Sequence, residues 1–149
     1  MSKANNRYTI RPYCPDDLDE VVRIWYEASK VGHPFLSEEQ LAADREEIVN
    51  KYIPMAKQWV AECDGRVVGF IALLNNFIGG LFVDPAYHRH GVGRRLVEHI
   101  RPLYERLTVE VFRENHKARA FYTACGFRVV EEHDNLHTGL PAMTMELTK

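Results

Sequence analysis

L-F-V-D-P-A-Y-H-R-H-G-V-G-R-R-L, residues 81–96, is the stretch that decides how the chain is read. Its apolar run stops at Asp84-Pro85, because proline lacks an N–H and turns its predecessor away from helix. A basic loop with two glycines follows, and then a helix pattern. The order is a strand, a tight loop and a helix N-terminus. Such an N-terminus offers unpaired N–H groups and partial positive charge, which suit a phosphate or pyrophosphate. Gly91 and Gly93 let a ligand approach the backbone. Arg89, Arg94 and Arg95 add charge at the same place. The stretch points to a diphosphate-bearing cofactor held mainly by backbone, or else to an ordinary strand–helix turn, since short glycine patterns are weak signals alone.

Two nucleotide-binding readings fail on the residues. A P-loop needs Lys-Ser/Thr after its last glycine, and Gly93 is followed by Arg94-Arg95. A Rossmann fingerprint needs Gly or Ala where Leu96 stands, and it belongs early in a β-α-β unit. The remaining composition is ordinary. The 149 residues suggest one domain, residues 1–149, able to bury a core without staples. A net charge of −2 gives no global case for nucleic acid or an anionic membrane. An anion site must therefore be local. Cys14, Cys63 and Cys125 are odd in number and widely spaced, and read as reduced thiols of a cytoplasmic protein. The first residues carry no apolar core for a signal peptide. The longest apolar run, residues 67–74, falls far short of the ~20 needed to span a membrane. The histidines lack zinc spacing, so no metal is expected.

Working outward, Tyr8 to Arg11 alternates and ends at Pro12, a short first strand. Pro15-Asp16-Asp17 opens a helix whose buried stripe is Leu18, Val21, Val22 and Trp25. Ser37-x-x-Gln40 has the capping-box pattern for a second helix, running to about Tyr52. Residues 58–63 and 66–74 are strands joined at Asp64-Gly65, a strong hairpin signal. The second is almost wholly apolar and so belongs in the middle of a sheet. Residues 77–83 form the next strand, with a bulge or close ligand approach at Gly79-Gly80. After the loop come a helix from Val92 to about Tyr104, a strand 107–112, and a helix 116–124 capped by Asn115 and stopped by Gly126. Strands over 127–132 and 142–147 close the chain.

This order resembles the GNAT family of N-acetyltransferases, over nearly the whole chain. Residues 81–96 look like the family's acetyl-CoA pyrophosphate motif. V-E-V-F-R-E-N-H-K-A-R-A-F-Y-T-A-C-G-F, residues 109–127, looks like its V-x-x-x-N-x-x-A-x-x-F-Y-x-x-x-G-F motif. One residue departs: His88 stands where the family usually has Gln or Arg. The resemblance implies an α/β fold with a mixed central sheet of about seven strands, a parallel splayed pair in its middle, and about four helices. It implies acetyl-CoA as cofactor. The backbone of Leu81, Phe82 and Val83 would pair with the pantetheine arm. Arg89, His90, Gly91, Val92, Gly93 and Arg94 would hold the pyrophosphate. Asn115 would hydrogen-bond the cofactor across the gap, and small Ala118 would let it lie against the helix. Lys117 and Arg119 read either as contacts for the ribose phosphate or as a solvated helix face.

Acetyl transfer to an amine needs a neutral nucleophile, a polarised carbonyl and a proton for the thiolate. Tyr122 matches the family's tyrosine that protonates the CoA sulfur. Glu110 lies between Val109 and Val111 and so points to the other face of its strand. An acid inside an apolar strand needs a partner or a purpose; it reads either as the general base or as a structural ion pair. Trp25, His33, Phe35 and Leu36, with the loop 135–141, are expected to form the acceptor lip. The expected function is acetyl transfer to a primary amine: a protein lysine, a peptide N-terminus or a small amine. A non-catalytic acyl-CoA-binding module is the alternative. Nucleic acid is not an expected partner, because no aromatic platform or extended basic face accompanies the arginines. Monomer and homodimer both stay open.

Overall fold

The computed structural model describes residues 7–32 and 37–148. Its strands are β1 (Tyr8–Pro12), β2 (Lys57–Cys63), β3 (Arg66–Leu74), β4 (Phe77–Val83), β5 (Arg106–Phe112), β6 (Arg128–Asp134) and β7 (Pro141–Thr148). They pair in one seven-stranded sheet, in the order β1-β2-β3-β4-β5-β7-β6. Every neighbouring pair is antiparallel except β4 and β5. The four longer helices are α1 (Leu18–Gly32), α2 (Glu38–Glu47), α3 (Val92–Ile100) and α4 (His116–Ala124).

The apolar residues of β3 are buried on both faces, as their near-continuous run requires. On one face α3 and α4 cover the sheet. Val92, Leu96, Val97 and Ile100 of α3, and Tyr122 of α4, pack on Val109, Val111, Met143 and Met145. On the other face α1 and α2 bury Val21, Ile24, Trp25 and Leu41 against Val60, Val67 and Phe70. Ser37 opens α2 as its motif predicts, its hydroxyl accepting from the Gln40 N–H. The Gln40 side chain, however, reaches Asp44 and His137. The regular part of α2 ends at Glu47, and residues 48–52 continue as a π-helical turn ahead of Pro54. Likewise α3 stops at Ile100, short of the expected Tyr104, because Pro102 cannot donate to the next turn.

Two ion pairs fix α1 to the sheet. Arg11 of β1 donates to both oxygens of buried Asp17, at 2.9 Å each, and to Glu62 of β2 at 2.8 Å. Arg23 donates to Asp84 at 3.2 Å, tying α1 to the end of β4. Among the described residues no helix is long and apolar enough to cross a membrane, and no three His, Cys, Asp or Glu side chains gather as metal ligands.

Candidate active site

The site begins where β4 and β5 part. Their parallel pairing covers only Phe77 with Thr108 and Ile78 with Val109. The β3–β4 register slips there, so that Gly79 is an extra residue on β4. An extra residue bends its strand, and β4 turns away from β5. The glycines thus mark a bulge, as their sequence suggests.

Beyond the bulge, one edge of β4 has no strand beside it. The Asp84 N–H donates to Val68 of β3 at 2.8 Å, which sets the phase of the antiparallel ladder. By alternation Phe82 also faces β3, whereas Leu81 and Val83 turn their backbone groups into the gap. The Phe82 carbonyl lies 3.2 Å from the point a Gly69 Cβ would occupy, on the β3 side. The expectation for Phe82 is therefore corrected: its backbone belongs to the β3 ladder. Its ring packs on Phe70, 5.6 Å between centroids. Val83 keeps its N–H for the gap, while its carbonyl accepts from His88 Nε2 at 3.0 Å. The unusual histidine thus caps the strand end.

The loop after β4 carries two left-handed residues, Arg89 (φ 68°) and Gly91 (φ 77°). Gly91 is the N-cap of α3 and has no side chain to cap it. The first-turn N–H groups of α3 are left for an anion, in the kind of backbone concavity that favours phosphate. Arg95 braces this loop. It donates to the His90 carbonyl at 3.0 Å and lies over the Tyr8 ring, 4.8 Å from its centroid. The Tyr8 hydroxyl meets His90 Nδ1 at 3.3 Å. Arg94 pairs with Glu98 at 3.1 Å on the exposed side of α3. Val92 is buried and offers the loop only its backbone. At Gly93 a Cβ would sit 3.2 Å from the Phe121 ring, so the missing side chain also admits the neighbouring helix.

Asn115 caps α4, its Oδ1 accepting from the Ala118 N–H at 3.1 Å, which leaves its amide donors. Ala118 packs against the core beside Phe121. Arg119 donates to the Arg113 carbonyl, and Lys117 is exposed. Tyr122 is only 6% exposed. Its ring meets Phe121 and Phe127 edge-on, with centroids 5.1 and 5.2 Å away. Burial pushes its hydroxyl well above the ordinary tyrosine range. The hydroxyl is therefore protonated at neutral pH.

Glu110 lies on the other face of the sheet. Its neighbours Val109 and Val111 are buried under α3 and α4, so Glu110 turns towards the side that α1 and α2 cover. Tyr122 and Glu110 thus approach from opposite faces, and the opening between β4 and β5 is the passage between them. Both Glu110 oxygens have donors: His133 Nε2 meets Oε2 at 2.6 Å, and Asn135 Nδ2 donates to Oε1 at 2.6 Å. His133 escaped the sequence reading. The signal was present, because an acid in an apolar strand demands a partner, but cross-strand pairing was needed to find it.

On the Glu110 side of the sheet, α2 meets the loop 135–140. His137 of that loop meets Asp44 at 3.0 Å and Gln40 at 2.9 Å, both on α2. Trp25, expected at the lip, is a core residue instead, 4% exposed. It belongs to the same buried stripe as Val21 and Ala28, and burying an indole stabilises more than presenting it to solvent. His33, Phe35 and Leu36 lie outside the described residues. Two shallow grooves elsewhere, of about 560 Å³ beside α4 and about 440 Å³ between α1 and α2, include no residue of β4 or β5.

A half-open sheet with an uncapped helix N-terminus at its mouth narrows the comparison to known proteins. The profile of the acetyltransferase (GNAT) domain matches residues 54–129. The chain belongs to the GNAT family. It is an acetyl-CoA-dependent N-acetyltransferase. The peptidyl-lysine N-acetyltransferase YiaC of Escherichia coli is 30% identical over 91% of this chain and 94% of that protein. The peptidyl-lysine N-acetyltransferase YjaB of Escherichia coli is 34% identical over 92% of this chain and 95% of that one. The solution structure of apo YjaB superposes with a TM-score of 0.82, covering 93% of this chain and 96% of that one at 32% identity. The PaiA N-acetyltransferase of Thermoplasma acidophilum, solved with coenzyme A, shares the fold with a TM-score of 0.80 at 20% identity, over the full length of both chains. The residues present suit the cofactor. The free β4 edge matches an amide-bearing arm, and the open N-terminus of α3 matches a diphosphate.

Proposed function

We propose that this GNAT enzyme acetylates the side-chain amine of lysine in proteins or peptides, with Glu110 as general base and Tyr122 as proton donor. The observation that carries the reading is the placement of these two groups on opposite faces of the sheet, at the one place where the sheet opens. The two relatives that are peptidyl-lysine N-acetyltransferases support the acceptor.

The backbone of Leu81 and Val83 orients the cofactor arm, and the loop from Arg89 to Gly93, with Arg94, takes its diphosphate. Asn115 adds amide donors from across the gap. Acetyl-CoA, when bound, supplies an activated carbonyl and a thiolate that departs. A lysine amine has a pKa of about 10.4 and arrives charged at neutral pH. Glu110 takes its proton on a carboxylate oxygen, leaving a nitrogen lone pair for attack. Tyr122 would pass its hydroxyl proton to the departing sulfur and recover one from the attacking nitrogen, which loses its second proton as the carbon–sulfur bond breaks. Charge on that sulfur is costly in an apolar pocket, so protonating it as it departs lowers the barrier.

The test offers acetyl-CoA with three acceptors: a lysine peptide with a blocked N-terminus, a lysine-free peptide with a free N-terminus, and a polyamine. Thiol release gives the rate and mass spectrometry gives the acetylated atom. Acetylation of the lysine Nζ is expected, with a fall of about 10²–10⁴ in kcat for Glu110→Gln. Turnover confined to the free N-terminus or to the polyamine refutes the acceptor. A Glu110→Gln profile that tracks wild type at every pH refutes the base.

A further inference from the structure

Glu110 is held by two side chains, and one of them is also the hinge pin of the acceptor loop. The Asn135 amide donates to Glu110 Oε1 at 2.6 Å. Its other atom, Oδ1, accepts from the His137 N–H at 2.9 Å, the Thr138 N–H at 2.8 Å and the Thr138 hydroxyl at 3.1 Å. The Asn135 backbone closes the same loop, donating to Leu140 and accepting from Gly139. His137 then bonds to Asp44 and Gln40 of α2. A continuous chain of hydrogen bonds therefore runs from α2, through the loop, to the carboxylate.

We propose that Asn135 is a positioning residue for Glu110, fixing the orientation of its carboxylate while locking the loop 135–140 to it. This rests on Glu110 being the base. A donor on each oxygen restrains a side chain whose rotations otherwise cost entropy on reaching the productive geometry. His133 supplies the second donor from β6, with its Nδ1 enclosed and unpartnered. The other charged groups around Glu110 are few. Glu131 of β6 stands in the same cross-strand row, across Thr144 of β7. Arg113, just after β5, is paired with Glu132 at 3.1 Å. Asp44 and His137 lie behind Asn135. β4 carries no charged residue. No cation among these donates to Glu110 in place of Asn135, so the amide's contribution is not duplicated.

The geometry gives a selective test. Asn135→Asp keeps an oxygen for all three bonds accepted from the loop. It replaces the single donor facing Glu110 with a carboxylate oxygen. kcat is then expected to fall about tenfold or more, with the KM for acetyl-CoA and the CoA affinity unchanged. A purely structural role for Asn135 leaves kcat per folded molecule at the wild-type value. The companion is the swap Glu110→Gln with Asn135→Asp, which restores the hydrogen bond with donor and acceptor exchanged. It is expected to be thermally more stable than Asn135→Asp alone, yet inactive. Asn135→Asp with a wild-type kcat overturns the proposal while leaving Glu110 as the base. A swap no more stable than Asn135→Asp also overturns it, and this arm reads stability even where the single variant is poorly folded. A wild-type profile in Glu110→Gln overturns the base and this proposal together, and so separates the two failures.

Discussion

Arg89 takes a backbone conformation that suits glycine, with φ at 68° in the loop proposed to hold the diphosphate. A side chain there costs about 1–2 kcal/mol, because Cβ crowds the following carbonyl oxygen. Arg89→Gly removes this strain and the guanidinium together; Arg89→Ala removes the guanidinium and keeps the strain. Glycine also loses more freedom on folding, by about 0.4–1 kcal/mol relative to alanine. The midpoints leave a glycine variant more stable than the alanine variant by about 0.8 kcal/mol. For a chain near this size that shifts Tm by about 2–4 °C. Arg89 is exposed, so Arg89→Ala is expected to lie within about 0.5 kcal/mol of wild type. Both variants lose one charge-assisted contact to the diphosphate, and CoA affinity measured by calorimetry is expected to fall about tenfold in each. Equal Tm values for Arg89→Gly and Arg89→Ala refute the strain. Undiminished CoA affinity in both refutes the contact.

Tyr122→Phe keeps both edge-on ring contacts and removes only the hydroxyl, so kcat is expected to fall about 10²–10⁴-fold with Tm nearly unchanged; a normal kcat under chemistry-limited turnover contradicts the donor role. Gly93→Val pushes a side chain into the Phe121 ring, and thermal melts with CoA titrations are expected to show Tm and affinity falling together. Lost affinity at unchanged Tm indicates that Gly93 serves the ligand rather than α4. Asp17 has its carboxyl held below the ordinary range, first by the Arg11 hydrogen bonds. As pH falls, the unfolded chain takes up this proton before the native one does, so the contribution is present above the unfolded pKa of about 3.9 and is lost below it, through the folded pKa. Asp17→Asn is therefore expected to lower Tm at neutral pH and to flatten its decline in acid; an unchanged acid slope argues against the pair.

The local signals in the chain were strong where neighbours in sequence are neighbours in space. Asp84-Pro85 ends β4, Asp64-Gly65 turns β2 into β3, and Asn115 caps α4, because each of these acts within a few residues. The loop from Arg89 to Gly93 and the opposite orientation of Glu110 from its valine neighbours were legible for the same reason. The two motifs together also carried the family resemblance, and with it the mixed character of the sheet.

Tertiary structure decided the rest. Gly93 is bare because Phe121, far along the chain, packs on it. Trp25 had two readings on its own helix, and only the apposition of α1 to β2 and β3 assigns it to the core. The phase of the β3–β4 ladder, which turns Phe82 to β3 and Leu81 and Val83 to the gap, depends on a register that sequence spacing does not contain. Glu110 and its donors lie 23 and 25 positions apart and meet only because β7 inserts between β5 and β6. A sequence by itself states which side chains need partners, because propensity, capping and burial are local or periodic. Which partner each one finds depends on strand order and register, and those are set by the packing of the whole sheet.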